Sequence, residues 1–479
     1  MTRLFEFLIG LVRIKLSALY LGVRGVGLID QLTFMSQMTA NFTLLSMGEA
    51  LVKQISESSH KEDISNILCS ALKSFLLMII VFMSISLFIL ILFKDIIAPL
   101  VFGEGDILTI YLVAIACIPL LVLNSIPFSI LKAFKGVAYI AKARMIIAAI
   151  NILILVPFII IMGIDGAVIY VFISYVTTIS INFYFANTVY LKHYDITSTK
   201  VFTAEILSSH IKELFIFSGF GVTVGLFLII SEMLIRSVIV VNIGLEGIGL
   251  YSPVIMWASI LTGVMLPSFS TYLFPRFCEI GKNGNPTPLI NSGLRIGSFA
   301  LAFFIFLGLP FKDLFIALFY SHKFSGASEF VPYHFLGLIF YVWWYVLSQC
   351  LTPMGKIKQH GILLLLMYTM NYLIVYILFD ELGLYAYMLK FIIPPFIFFI
   401  VYFVYCNYKM RFSISKDNIF LMIYIFLATL VIVAIDYFNN YGFSYILGVL
   451  LLCGVYFFLT LKEKSFIRHW VRKNFNFLH

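Results

Sequence analysis

Long apolar runs dominate the chain. Segments of about 18 residues or more, rich in Leu, Ile, Val and Phe, recur along its length and are separated by short polar connections. The runs are continuously apolar and do not alternate with a period of two, so they indicate membrane helices and exclude a transmembrane β-barrel. The pattern predicts about fourteen transmembrane helices, and therefore an all-α polytopic membrane protein.

A short glycine pattern near the start of the chain recurs in its middle. Residues 22–28 read Gly-Val-Arg-Gly-Val-Gly-Leu, and residues 244–250 read Gly-Leu-Glu-Gly-Ile-Gly-Leu. Such self-similarity indicates two copies of one structural unit. We interpret the glycines as a tight connection between two helices, where a positive φ or the close approach of another helix excludes a Cβ atom. Their order does not fit a G-x-G-x-x-G phosphate-binding loop.

The repeat divides the predicted helices into two groups of six, followed by two further helices. We expect an N-terminal lobe at 1–191, a cytoplasmic linker at 192–213, a C-terminal lobe at 214–408, helices 13 and 14 at 409–461, and a basic amphipathic tail at 462–479. Because each group has an even number of helices, the two lobes have the same orientation and are related by a pseudo-twofold axis along the membrane normal. Two such bundles can rock about a central cleft, which is the architecture of a transporter.

Charge and composition narrow the class further. Most of the 32 lysines and arginines fall in alternate connections, and the positive-inside rule places those connections and both termini in the cytoplasm. A composition that is 62% hydrophobic and 11% charged excludes a soluble domain, and we expect no nucleic-acid partner. The six cysteines lie in or beside apolar runs without metal-ligand spacing, so we expect no metal and no other cofactor.

A polar stripe follows one face of the second predicted helix, which we place at 28–52. Asp30, Gln37 and Asn41 share this face because of their helical spacing. The equivalent helix of the second copy carries Ser259 and other small or polar residues at the matching positions. Small polar residues often join packed membrane helices. The matching stripe on both copies favours the other interpretation, a hydrated cavity that contacts substrate.

Charged residues inside apolar runs are the strongest candidates for a binding site, because isolated charge in hydrocarbon is costly. Arg13 precedes Gly22, and Arg236 precedes Gly244, by nearly the same number of residues. Both arginines are therefore expected near the bilayer midplane on equivalent helices. Two guanidinium forks suit a diphosphate, whose oxygens they bind bidentately. The alternative for Arg236 is an internal ion pair with Glu232, one helical turn earlier.

Three more charged residues, Lys15, Lys390 and Glu49, complete the set of candidates. Lys15 and Lys390 also lie in predicted spans, and we include both as substrate-binding residues, although Lys390 is close enough to the outer surface to snorkel. The acidic residues that could couple transport to H⁺ or Na⁺ are Asp30, Glu49 and Glu232.

Stretches in both copies resemble a known family. They are Leu19-Tyr20-Leu21-Gly22 running into Gly25-Val26-Gly27-Leu28, the segment Glu49-Ala50-Leu51-Val52-Lys53-Gln54-Ile55-Ser56-Glu57, and Gly244 to Tyr251 followed by Tyr272-Leu273-Phe274-Pro275-Arg276. These stretches are similar to the Wzx-type O-antigen and polysaccharide flippases of the multidrug/oligosaccharidyl-lipid/polysaccharide (MOP) exporter superfamily. Gly10-Leu11-Val12-Arg13 is also similar to the first helix of lipid II flippases, in which the arginine is functional. The first helix of lipid II flippases also carries a second arginine, at the position where this chain has Leu19.

The resemblance implies a MATE/MOP-like fold and a transport function. The implied substrate is an undecaprenyl-diphosphate-linked oligosaccharide, a repeat unit of O-antigen, capsule or exopolysaccharide, which crosses the bacterial inner membrane by alternating access. The implied partner is the polysaccharide polymerase machinery, and no enzymatic activity is expected. One alternative is a cation-coupled drug antiporter of the same fold, which the basic midplane disfavours. Another is a membrane-embedded glycosyltransferase or ligase, which would need a larger non-cytoplasmic loop.

Overall fold

The computed structural model describes residues 2–45, 47–58, 64–103, 107–204, 208–280, 284–438 and 441–459. The predicted basic tail at 462–479 lies outside these residues. All regular secondary structure in the described ranges is helical. The α-helices are α1 (Thr2–Leu44), α2 (Met47–Ser58), α3 (Ile64–Leu92), α4 (Lys94–Phe102), α5 (Leu108–Ala133), α6 (Val137–Ala186), α7 (Ser198–Thr203), α8 (Ser208–Ile243), α9 (Leu245–Ile280), α10 (Thr287–Gly308), α11 (Lys312–Phe319), α12 (Val331–Ser348), α13 (Ile357–Leu382), α14 (Leu384–Met410), α15 (Lys416–Tyr437) and α16 (Tyr441–Val455).

Ten helices in this part of the chain are long and apolar enough to span a membrane, and Tyr445–Phe458 forms a shorter apolar helix. Helices α1 and α6 each contain a sharp kink, at Gly22 and Gly163, where two helices join end to end. Each of these two helices therefore corresponds to two predicted spans. The prediction of an all-α polytopic membrane protein is confirmed, and the count of fourteen spans is approximate.

The repeated glycines form two equivalent hinges. Gly22 has a φ of 68° and Gly244 a φ of 87°, in the left-handed region that favours glycine. A Cβ atom on Gly27 or Gly249 would lie only 2.0 or 1.9 Å from a backbone carbonyl oxygen of the other copy. The two copies of the motif therefore pack backbone against backbone. Both features predicted for the glycines, positive φ and close helix approach, are confirmed.

Two predicted spans are divided in the structure. The span predicted at 28–52 is interrupted at Leu45, whose φ of 44° ends α1 in a left-handed conformation. The apolar run at 294–320 predicts one span, but it consists of α10 and α11, which are separated next to Pro310. Proline has no N–H to continue a helical hydrogen-bond ladder, so the break follows from its position. The polar stripe of the second predicted span is consequently confined to α1.

By their mutual contacts the residues form two compact units. Unit 1 comprises Met1–Pro253, Ile316–Ser325 and Leu364–Leu384, and unit 2 comprises Val254–Phe315, Gly326–Leu363 and Tyr385–His479.

Helix α5 is the centre of unit 1, where it packs against α1, α2 and α6. Two buried hydroxyls link it to its neighbours. Ser36 of α1 donates to the Ala114 carbonyl oxygen of α5 at 3.0 Å, and Tyr111 of α5 donates to the Leu90 carbonyl oxygen of α3 at 2.8 Å. Hydrogen bonds of this kind satisfy buried polar groups in an apolar environment. The Ser36 bond fixes the second half of α1, which carries the polar stripe, against α5, and the Tyr111 bond fixes α5 against α3.

Helix α10 is the centre of unit 2, where it packs against α12, α15 and α16. A buried ion pair joins α11 to α15: Lys312 Nζ lies 2.8 Å from Asp436 Oδ2, and the two side chains are only 6% and 12% exposed. Lys312 also donates to the Ser328 carbonyl oxygen at 3.2 Å. Because each charge is buried, each depends on the other for its stability.

Candidate functional site

Unit 1 places the two predicted arginines within electrostatic range of one acidic side chain. Asp30, in the second half of α1, interacts with the charges of Arg236 on α8 and of Arg13 in the first half of α1. The Ser252 hydroxyl is also within interaction distance of the Asp30 carboxylate. Arg13 and Asp30 can approach each other because the kink at Gly22 lies between them. We call Arg13, Asp30, Arg236 and Ser252 the arginine–aspartate cluster.

Arg236 is held by three neighbours. Its Nη1 donates to Gln31 Oε1 at 3.2 Å, and its Cζ lies 4.1 Å from the centroid of the Phe34 ring. Its Nε lies 3.7 Å from Glu232 Oε1, so the predicted internal ion pair is present. That separation is too long for a hydrogen bond, and Nε has no hydrogen-bond partner within the described residues. Of the five N–H groups of this guanidinium, one donates to a described residue. Donors therefore remain for an anion that reaches the side chain, which is 12% exposed.

Arg13 has a different environment. Its side chain is exposed and lines a cavity of about 120 Å³ together with Gly10, Asn151 and neighbouring apolar residues. The Oδ1 atom of Asn151 is buried and has no hydrogen-bond partner among the residues that the structure describes. An unsatisfied buried polar atom beside an exposed guanidinium is typical of a site that a polar ligand or water completes.

Tyr320 extends the arginine–aspartate cluster. Its hydroxyl oxygen lies 3.4 Å from Ser252 Oγ, and it interacts with the charges of Asp30 and Arg13. Sequence reasoning missed this tyrosine, because a single Tyr beside an apolar run resembles an ordinary core residue. It is far from the other cluster members in sequence, so only the fold reveals it.

The polar stripe of α1 meets a second tyrosine that the sequence did not identify. Tyr175, in the second half of α6, lies within interaction distance of the Gln37 and Thr33 side chains and of the Arg13 charge. Gln37 and Asn41 are both exposed on the surface of unit 1. The stripe therefore presents hydrogen-bonding groups and one aromatic ring beside the arginine–aspartate cluster.

Two candidates in unit 1 have local partners. Lys15 donates to the carbonyl oxygen of Ala317 at 2.8 Å, in the last turn of α11, where helical carbonyls lack intrahelical donors. Glu49 is 61% exposed and forms an ion pair with Lys132, with 2.6 Å between Lys132 Nζ and Glu49 Oε1. Both arrangements stabilise helix ends and connections, and neither residue takes part in the arginine–aspartate cluster.

The two candidates in unit 2 are also held locally. Lys390 is buried, with its Nζ 4.2 Å from the Tyr387 ring centroid and 4.8 Å from that of Phe391. Such aromatic faces stabilise a desolvated ammonium group. Ser259 is exposed, and its hydroxyl donates to the Met256 carbonyl oxygen at 2.6 Å.

The fold identifies the class of protein. The chain is similar to the lipid II flippase MurJ in its inward closed conformation, with a TM-score of 0.68 and 17% identity over 97% of this chain and 98% of that one. It is similar to an inward-facing multidrug resistance transporter of the MATE family, with a TM-score of 0.68 and 16% identity over 85% and 94% of the two chains. A MOP superfamily transporter from Pyrococcus furiosus, with a binding pocket of reversed polarity, gives a TM-score of 0.57 and 15% identity over 86% and 94%. The fold is therefore that of the MOP superfamily.

The family follows from the sequence itself. The family model described as polysaccharide biosynthesis protein matches residues 1–281, and the chain belongs to this family. Among curated proteins, none matches the chain. The family and the fold together confirm the resemblance to the polysaccharide flippases of the MOP superfamily.

Proposed function

We propose that this protein is a flippase for an undecaprenyl-diphosphate-linked oligosaccharide, a repeat unit of O-antigen, capsule or exopolysaccharide. It moves this lipid from the cytoplasmic to the outer leaflet of the bacterial inner membrane by alternating access and without catalysing a reaction. The observation that carries the proposal is that both Arg13 and Arg236 lie within electrostatic range of Asp30 in unit 1. Support for a lipid-linked saccharide comes from the polysaccharide biosynthesis family and from the fold that the chain shares with a lipid II flippase.

The arginine–aspartate cluster suits a diphosphate because its charges are balanced both without and with the substrate. Without substrate, Asp30 balances the two guanidinium groups and reduces their mutual repulsion. An entering diphosphate replaces Asp30 as their counter-charge. Arg13 then contributes a guanidinium that has no hydrogen bond within the described residues, and Arg236 contributes the N–H groups that do not donate to Gln31. Charge-assisted, bidentate hydrogen bonds of this kind are the strong ones in proteins.

The neighbouring polar stripe suits the sugars. Gln37 and Asn41 offer amide donors and acceptors, and Tyr175 adds a hydroxyl and an aromatic face next to Gln37. In this proposal the stripe contacts the first sugars beyond the diphosphate.

Asp30 is the acid best placed to couple transport to H⁺. Protonation would remove the counter-charge of both arginines and release them to the substrate, so proton and diphosphate binding would favour each other. A Na⁺ ion at the same carboxylate would be repelled by the two guanidinium groups. For the same reason a cationic drug is the less suitable substrate, although the MATE transporters share the fold.

The direct test is genetic replacement of the native protein by an Arg13→Ala variant in its own host. We expect undecaprenyl-linked oligosaccharide to accumulate in the cytoplasmic leaflet and surface glycan to decrease, with unchanged protein levels. Arg144→Ala is the matched control, because Arg144 is an exposed arginine on α6 outside the cluster. Normal glycan display and no accumulated lipid-linked intermediate in the Arg13→Ala strain would overturn the proposal.

A further inference from the structure

Beside the arginine–aspartate cluster, unit 1 contains another cavity, which is almost wholly apolar. It encloses about 210 Å³ between the second half of α1 and helices α3, α4 and α8. Its walls are formed mainly by phenylalanine, methionine and branched aliphatic side chains, including Phe34, Met38 and Ile230. Ile89 and Ile230 are strongly exposed at its edge, so the cavity opens to the surface of the unit. We call it the apolar cavity.

At one end of the apolar cavity, two of the residues that line it also contact Arg236. Gln31 lines the cavity and also accepts the hydrogen bond from Arg236 Nη1 at 3.2 Å. Phe34 lines it too, and the Cζ atom of Arg236 lies 4.1 Å from the centroid of its ring. A ligand with an apolar chain in this cavity would therefore place an anionic end at a guanidinium.

The dimensions and lining of the apolar cavity favour one flexible chain. Between Gln31 and Phe42 the cavity follows α1 for about 16 Å, the length of several isoprene units. Met35, Met38 and Met233 contribute unbranched, adaptable side chains, which pack well around an irregular methyl-branched chain. Polar ligands are disfavoured because an apolar void of this kind does not hold water.

We propose that the apolar cavity binds the first isoprene units of a polyprenyl diphosphate whose diphosphate is held by Arg236. This inference rests on the proposed function and adds a binding site for the lipid chain of the substrate. A glycerophospholipid is the competing occupant in a membrane. It carries two acyl chains on one phosphate, whereas the cavity has room for one chain. Two of the residues that line the cavity, Gln31 and Phe34, contact the Arg236 guanidinium, which suits the higher charge of a diphosphate.

The test fills the cavity with a larger side chain. It measures the binding of the complete polyprenyl diphosphate and of its head group separately. The purified full chain in nanodiscs is titrated with undecaprenyl diphosphate, with inorganic pyrophosphate as the head group alone, and with phosphatidylglycerol. Met38→Trp fills the cavity, and Ile89→Trp at its edge serves as the second variant if the first does not fold. The matched control is Ile161→Trp, because Ile161 is 79% exposed on α6 and does not line the cavity.

We expect Met38→Trp to weaken the binding of undecaprenyl diphosphate at least tenfold, which corresponds to about 1.4 kcal/mol. The binding of pyrophosphate is expected to stay unchanged, and Ile161→Trp is expected to behave as the wild type. A photoreactive p-benzoylphenylalanine in place of Met38 is expected to cross-link to undecaprenyl diphosphate in preference to phosphatidylglycerol.

Two results would overturn the inference while leaving the proposed function intact. One is unchanged undecaprenyl diphosphate affinity in both tryptophan variants, and the other is equal cross-linking to phosphatidylglycerol. If the wild type bound neither undecaprenyl diphosphate nor pyrophosphate, the proposed function itself would fail, and the inference with it.

Discussion

Arg13→Ala and Arg236→Ala are both expected to weaken diphosphate binding, but only Arg236→Ala is expected to lower the stability of the protein substantially. Both side chains are proposed to bind the diphosphate, but only Arg236 is also held by protein groups. Arg13 is exposed and has no hydrogen bond within the described part of the chain, whereas Arg236 is bonded to Gln31, stacked on Phe34 and paired with Glu232.

The magnitudes follow from these contacts. Loss of one charge-assisted hydrogen bond costs about 1.5–3 kcal/mol, so either substitution is expected to weaken diphosphate binding roughly ten- to a hundredfold. Arg13→Ala is expected to change the free energy of unfolding by less than about 0.5 kcal/mol, as exposed substitutions usually do. Arg236→Ala removes the hydrogen bond to Gln31, the ion pair with Glu232 and the contact with Phe34, which together amount to about 2–4 kcal/mol.

The assay measures both quantities on the same samples. Pyrophosphate affinity is determined by titration of the purified protein, and stability is determined by thermal unfolding. Arg→Lys at either position is expected to retain part of the affinity, because the charge remains while the bidentate fork is lost.

One double substitution separates binding from internal pairing. If Arg236 serves only to neutralise Glu232, replacing both residues by glutamine restores full pyrophosphate affinity and transport. That result would refute the role of Arg236 and leave Arg13 as the arginine that binds the diphosphate. The reasoning for both residues would fail if neither alanine substitution changed the affinity.

Three further predictions concern coupling, stability and topology. Asp30→Asn is expected to bind pyrophosphate more tightly and to remove the pH dependence of transport, measured in vesicles over a pH series; unchanged pH dependence would exclude Asp30 from coupling. Lys312→Met leaves the buried Asp436 charge unpaired and is expected to cost about 3–5 kcal/mol in unfolding experiments, while combining it with Asp436→Leu recovers most of the loss; equal losses would show that the pair is not coupled. A cysteine at Lys323 is expected to react with an impermeant maleimide in whole cells and a cysteine at Lys135 is not; labelling at Lys135 would contradict the positive-inside assignment.

Much of the fold could be predicted because membrane proteins follow simple local rules. Continuous apolar runs can only be buried in lipid as helices, and the repeated glycines pointed to hinges before Gly22 and Gly244 were seen to have positive φ. Helix ends were less predictable. Leu45, a good helix former, ends α1 in a left-handed conformation, and nothing in its local sequence indicates this. Tertiary packing decides such positions.

The candidate site could be predicted only in part. Arg13, Arg236 and Asp30 were identifiable because charge inside an apolar run is rare. Tyr175 and Tyr320 were not, since the chain contains 27 tyrosines and none is distinctive by type. Their role depends on contacts between residues far apart in sequence. The apolar cavity was equally hidden, because its lining residues are the ordinary composition of any membrane helix.

The central claim is that the chain moves a diphosphate-linked oligosaccharide across a membrane, and a flipping assay in proteoliposomes tests it most directly. Undecaprenyl-diphosphate-linked oligosaccharide is incorporated with purified protein, and its exposure on the outer leaflet is followed with a membrane-impermeant enzyme that cleaves the glycan. We predict that glycan protected in the inner leaflet becomes accessible to the enzyme rapidly with the wild-type protein and slowly with Arg13→Ala. The account is contradicted if the wild type moves the lipid no faster than protein-free vesicles do, or if the Arg13→Ala variant moves it equally fast.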